Sequence, residues 1–251
     1  EYYFREELFE DTLDGTVAED DRLYDLIWEK FNDTDPAVPY FSFSVTYEGH
    51  GPYNYKKNLY DTRFVLEDAD TADGYAMNNY LSCVYKRDQE LDDLVRRLTE
   101  VDRPVALVVF GDHKPTLGAD VNNYTTAAYK TFGMDLDVSS EQGFINYYST
   151  EYLIWLNPAA QALYDEDRTG QTGPMISPCY LMNQVFDYLG MGKGPAFLQA
   201  MEEQMQAMPV FSTKGRYSVD GHLTGTLTAE ALETRQTIRY LNYYRRTADM
   251  E

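Results

Sequence analysis

The sequence has 251 residues, 43% hydrophobic and 25% charged, an ordinary globular balance with room for one sizeable core or a core plus a small satellite. Its formal net charge is −21 with no basic tract, which argues against nucleic-acid binding, because phosphate-backbone recognition needs a Lys/Arg surface. No run approaches the roughly 20 apolar residues of a membrane span, and no secretory leader pattern stands before the fold.

Taken in chain order, residues 22–31 place Leu23, Ile27, Trp28 and Phe31 on one helical stripe, with Asp20 or Asp21 available as a cap. Pro39–Tyr47 alternates strictly, with Phe41, Phe43, Val45 and Tyr47 on one side, and reads as a strand. It ends in the loop Glu48-Gly49-His50-Gly51-Pro52-Tyr53. Residues 75–100 read as a long helix, with Leu81, Val84, Leu91, Leu94, Val95 and Leu98 inward and Lys86, Arg87, Asp92, Asp93, Arg96 and Arg97 on the wet side. Val105–Phe110 is a continuous apolar run, the pattern of an inner parallel strand covered on both faces, and Tyr152–Leu156 is a second.

Between these strands residues 115–143 are polar, with a short helix expected near Ala127–Tyr129. Ser177-Pro178 supplies an N-cap and a first helical proline, and Gly190 a helix stop. A helix over residues 195–207, turns at Lys214-Gly215 and Asp220-Gly221, and a closing helix over 228–246 complete the pattern. Strands alternating with helices predict an α/β fold, a mostly parallel sheet with helices on both faces. Residues 1–208 are expected to form the main α/β part and residues 209–251 a small β-hairpin and helix extension packed on it.

The chemistry-bearing residues are few. Two cysteines, Cys83 and Cys179, make no disulfide framework, and buried free thiols are favoured over a single bridge. The 23 tyrosines could offer amphipathic faces to sugars, although a tyrosine-rich core edge serves the same pattern. Gly190-Met191-Gly192-Lys193-Gly194 follows a helix rather than a strand and reads as a stop, not a phosphate cradle. The sequence holds no Gly-x-Ser-x-Gly elbow and no P-loop. Of the three histidines, His222 falls in a hairpin turn and reads as surface, whereas His50 and His113 each follow the C-terminal end of an expected strand, the edge where α/β sheets bind ligands. Asp112 and His113 are adjacent just past Gly111, where the chain can turn and bring an oxygen and a nitrogen donor to one divalent ion. The competing reading makes Asp112 a helix cap and packs His113 on the loop.

The segments FSFSVTYEGHGPY (41–53), YLSCVYKRDQELDDLVRRL (80–98), VALVVFGDHKP (105–115) and YLIWLNP (152–158) resemble, in this order, the lipoteichoic acid synthase and phosphoglycerol transferase branch of the sulfatase group, within the alkaline phosphatase superfamily. The resemblance covers residues 20 to 190. It implies an α/β sandwich around a mainly parallel sheet, and a divalent metal, most often Mn²⁺ with Zn²⁺, Mg²⁺ or Ca²⁺ as alternatives, held in part by Asp112 and His113. It further implies that His50 contacts a phosphate-bearing substrate, and that a Glu and a nucleophilic Thr from an earlier part of the domain complete the site. No Thr of this chain stands in the family's nucleophile context, so no catalytic nucleophile is assigned and the chain reads as the C-terminal portion of the domain, inactive alone. The family's further Trp and Arg contacts have no assigned place, and Trp28 reads as core.

Three functions follow as expectations. The first is a transferase that moves phosphoglycerol from a lipid to a glycan or polymer, on the extracytoplasmic face of a bacterial membrane to which other segments would anchor it. The second is a sulfate or phosphate ester hydrolase of the same superfamily. The third is a non-catalytic glycan-binding module. The anionic substrate of the first two is compatible with the acidic chain, because a bound cation reverses the local field.

Overall fold

The computed structural model describes residues 20–61, 64, 70–115, 117, 132–192 and 194–247. Its elements, in order, are α1 (Asp20–Asp33), α2 (Ala72–Thr99), β1 (Ala106–Phe110), α3 (Glu141–Tyr148), β2 (Tyr152–Leu156), α4 (Pro158–Gln161), a 3₁₀ turn (Pro178–Tyr180), α5 (Leu181–Tyr188), α6 (Ala196–Ala207), β3 (Tyr217–Val219), β4 (His222–Thr224) and α7 (Ala229–Thr247). The short helix expected near Ala127–Tyr129 lies outside the described residues. Among the described residues no helix is long and apolar enough to cross a membrane.

The mixed α/β class holds, and the strands differ in their pairing. β1 and β2 form a two-stranded antiparallel ladder, Ala106 opposite Leu156 and Phe110 opposite Tyr152. The expected parallel pairing is not found among the described strands. An apolar run reports coverage, not direction; here the chain leaves β1 at Phe110 and returns into β2 beside the same end. The strand expected at Pro39–Tyr47 is extended without ladder partners among the described residues, and Phe41, Phe43 and Val45 are exposed.

Two compact units are present: the described residues of Glu1–Asp137 with Gln142–Glu166, and Val138–Glu141 with Asp167–Glu251. In the first unit, one core joins Phe31 of α1 to Leu94 and Leu98 of α2, with Trp28, Tyr40, Val105 and Trp155 packed around it. A second joins Tyr53, Ala76, Met77, Leu117 and Leu136. Asn157 locks the strand pair to α2. Its Oδ1 accepts from the Val105 N–H at 2.9 Å and the Ala160 N–H at 2.9 Å, and its Nδ2 donates to the carbonyls of Leu98, Val101 and Arg103 at 3.1, 3.2 and 2.9 Å. The side chain is fully buried, and without it the buried groups among these partners would lose a hydrogen bond away from water.

The second unit has its own core of Tyr180, Met201, Met208 and Ile238, drawn from the 3₁₀ turn, α6, the following loop and α7. Residues of the 3₁₀ turn and α6 share this core with Phe211 and Ile238 of the C-terminal segment. Ser177 does not cap the turn after it. Its Oγ donates to the Phe211 carbonyl at 2.9 Å and accepts the Phe211 N–H at 2.6 Å, pinning the incoming chain instead. Gly190 does stop α5, at φ 61°, with the Met191 N–H reaching Phe186 O at 3.0 Å and the Gly190 N–H reaching Asp187 O at 3.0 Å, the paired bonds of a Schellman ending. Asp220 (φ 50°) and Gly221 (φ 81°) turn the β3–β4 hairpin in the left-handed conformation that matches strand twist. Both cysteines are free, Cys83 buried and Cys179 exposed.

Candidate functional site

The end of β1 delivers the acid and the imidazole. Gly111 is tied to the start of β2 by its N–H to Glu151 O at 3.2 Å and by Thr150 Oγ1 donating to its carbonyl at 2.7 Å. Asp112 and His113 follow in a bend, both well exposed. Asp112 Oδ1 accepts the His113 N–H at 2.8 Å, which leaves Oδ2 facing His113 Nε2 at 3.7 Å. His113 Nδ1 lies 2.9 Å from the Lys114 carbonyl. A carbonyl only accepts, so Nδ1 carries the proton of the neutral ring and Nε2 presents a lone pair. Among the described residues the Asp112 carboxylate makes its contacts with the adjacent histidine.

His50 meets this pair from the loop after the extended segment. Its ring lies edge to face against His113, centroids 5.8 Å apart, and is stacked on Tyr47 at 5.2 Å with 5° between planes. His50 Nδ1 is 2.7 Å from the Gly51 carbonyl, so here too Nε2 is the nitrogen left for a ligand. The structure therefore brings His50, Asp112 and His113 together, although 62 positions separate His50 from Asp112 in the chain.

Residues that the sequence pattern assigned elsewhere hold the His50 loop. Asp20, taken as a helix cap, is a buried carboxylate whose Oδ1 accepts the N–H groups of Tyr47 and Glu48 at 3.0 and 3.1 Å and whose Oδ2 pairs with Arg87 Nε at 3.2 Å. Glu48 Oε2 in return accepts the Asp20 N–H at 3.1 Å, and Oε1 pairs with Lys86 at 2.7 Å. Lys86 and Arg87 thus leave the solvated face of α2 that their spacing predicted. Only the combination of a carboxylate at a helix start with two adjacent cations far along the chain could have flagged them, and that combination is common.

Burial, and next the nearby Glu48 carboxylate, push the Cys83 thiol up, so it stays protonated and lies 3.6 Å from the Glu48 carbonyl as a weak donor. Glu90, beside Lys86, is raised to about 7, first by burial and then by Glu48.

As a metal site, Asp112 and His113 fit as part of a ligand set. Two donors about 2.0–2.2 Å from one ion can stand up to about 4 Å apart, and Oδ2 and Nε2 are 3.7 Å apart. Among the described residues no group of three His, Cys, Asp or Glu gathers to complete it.

Known proteins add the following. The sulfatase family model matches residues 2–191. A protein of Rhizobium meliloti (strain 1021) described as "Putative cyclic beta-1,2-glucan modification protein" is 28% identical over 182 residues, covering 70% of this chain and 26% of that protein. The chain thus spans about a quarter of that relative's length. No solved structure matches it. With three quarters of its length matched by one family model and an acid–imidazole pair at its strand end, the chain belongs to the sulfatase family.

Proposed function

We propose that this chain supplies the metal-binding and substrate-facing part of a phosphoglycerol transferase-like enzyme that acts on a phosphodiester-bearing lipid and a glycan acceptor outside a bacterial membrane. The observation that carries the reading is the convergence of His50 on the Asp112–His113 pair. The glucan-modification relative favours a glycan acceptor. Membrane attachment belongs to other segments of the full protein in this reading, and so does the Thr nucleophile.

The residues have distinct tasks. Asp112 and His113 would hold a divalent cation, with Mn²⁺ suited to their mixed oxygen and nitrogen donors. When bound, that ion supplies charge neutralisation at the phosphoryl oxygens and acidifies an attacking hydroxyl. Lys114 O fixes the His113 tautomer, as second ligand-orienting partners commonly do. His50, held at Nδ1 by Gly51 O, uses Nε2 toward the substrate; in the imidazolium form it donates to a phosphoryl oxygen or to the leaving oxygen. Tyr47 backs the ring and restricts its rotation.

The family description favours a second reading, hydrolysis of sulfate or phosphate esters by the same residues. One assay separates the two. The full-length protein is given Mn²⁺ with a phosphoglycerol-bearing lipid and a β-glucan, and in a parallel arm Mn²⁺ with a sulfate ester. The transferase reading expects phosphoglycerol on the glucan, and release of glycerol phosphate to water alone favours the hydrolase. No turnover of phosphate or sulfate esters under any of these conditions overturns both.

A further inference from the structure

We propose that Asp20 and Arg87 are positioning residues for His50, an inference that rests on the reading of His50 as a substrate contact. Three chain segments meet here: the start of α1, the Tyr47–His50 loop and the middle of α2. The Asp20 carboxylate, 2% exposed, takes both leading N–H groups of the loop and the Arg87 guanidinium. Arg87 is also pressed against the next residue. A Cβ on Gly49 would stand 1.9 Å from Arg87 Nη1 and 2.5 Å from its Cζ, so the loop backbone rests directly on the guanidinium.

Further main-chain groups of the loop are engaged as well. The His50 N–H bonds Tyr47 O at 2.9 Å, Cys83 Sγ reaches Glu48 O, and the Tyr53 hydroxyl donates to Gly49 O. The backbone that carries His50 is therefore tied down from several sides, and among these bonds the charged partner is Asp20, itself paired with Arg87.

Stability alone does not account for this arrangement. Taking the Asp20 carboxylate out of water carries a large desolvation penalty, and packed apolar residues commonly stabilise a fold as well or better than a pair built on such a group. What a hydrogen-bonded ion pair gives and an apolar contact does not is a fixed direction: Asp20 must face two particular N–H groups, and Arg87 must keep its guanidinium against Gly49. Placement matters to a group that donates to a substrate, since about 1 Å of displacement can lower a rate on the order of 100-fold.

The test is a double-mutant cycle in the full-length protein, using the phosphodiester substrate, with kcat and KM measured for Arg87→Met, Arg87→Lys, Asp20→Asn, His50→Ala and His50→Ala/Arg87→Met. Arg87→Met is expected to lower kcat about 10- to 100-fold with KM within about threefold, and Arg87→Lys to restore part of it. In the His50→Ala background, Arg87→Met should have no further effect; an equal loss in both backgrounds overturns the proposal. A second measurement stands apart from activity. In the ¹⁵N-histidine-labelled chain, Arg87→Met and Asp20→Asn should shift the His50 ring resonances and leave His222 unmoved. If the folded variants leave His50 unmoved, positioning is refuted. If His50 moves but His50→Ala has no effect on turnover, the substrate role fails and the positioning stands. Should Arg87→Met fail to fold, Arg87→Lys carries both measurements.

Discussion

His50 and His113 lie edge to face with ring centroids 5.8 Å apart, and each has its Nδ1 placed against the carbonyl of the residue that follows it, Gly51 and Lys114. The shared local device gives both rings the same tautomer and leaves both Nε2 atoms for ligands. If Asp112 and His113 hold the ion, Asp112→Asn and His113→Ala in the full-length protein should each weaken Mn²⁺ binding at least about tenfold, since even partners behind the ligands are worth that much. His50→Ala should leave the metal content unchanged while lowering turnover. Metal analysis after gel filtration, alongside an activity assay, checks both outcomes.

Asn157 bears on stability rather than chemistry. Five backbone groups depend on one buried amide. Asn157→Ala should destabilise the first unit by about 3 kcal/mol or more, the range expected when a buried hydrogen-bond network loses its centre. Asn157→Asp keeps the shape but turns an acceptor toward the carbonyls of Leu98, Val101 and Arg103, and is expected to be no milder. Urea unfolding of both variants measures this.

Glu90 gives stability a pH dependence of defined sign. Its folded-state value is raised to about 7 from an ordinary 4.5, so between these values the folded chain holds a proton that the unfolded chain has lost. That contribution is fully present below about 4.5 and is lost as pH rises through about 7. Glu90→Gln mimics the protonated form. Its Tm should match the parent near pH 5 and exceed it near pH 8, and a constant difference across that range would refute the assignment.

Gly143 lies inside α3, where alanine would ordinarily gain about 0.5–1 kcal/mol over glycine. A Cβ there would stand 2.0 Å from the Asp137 carbonyl oxygen, a backbone atom. The clash should outweigh the helix preference, making Gly143→Ala destabilising by about 1–3 kcal/mol. A thermal melt with a raised Tm would contradict it.

Legibility from sequence followed the range of the interaction. α1, α2, α6 and α7, the Gly190 stop and the Asp220-Gly221 turn were readable because each is set within a few residues, by periodicity or by a backbone conformation that glycine favours. The antiparallel pairing of β1 with β2 was not, since nothing within either apolar run encodes a partner's direction. Ser177 illustrates the same limit: its sequence context is that of a cap, and Phe211, 34 residues later, takes both of its hydrogen bonds. Asp112 and His113 could be read as polar residues just past an apolar run and His50 as one in a glycine-flanked loop, whereas the contacts of Asp20, Glu48 and Arg87 could not, because a buried carboxylate is distinguished from a solvated one only by what surrounds it.

The contact between Gly49 and Arg87 has an evolutionary corollary. Any side chain at position 49 demands that the guanidinium vacate its place, and a shorter residue at 87 leaves a hollow that a methyl group could fill. Homologues are therefore expected to vary at these two positions in concert: glycine with arginine, or alanine with something smaller. A lineage that changed one of them alone would carry a displaced histidine until the other followed.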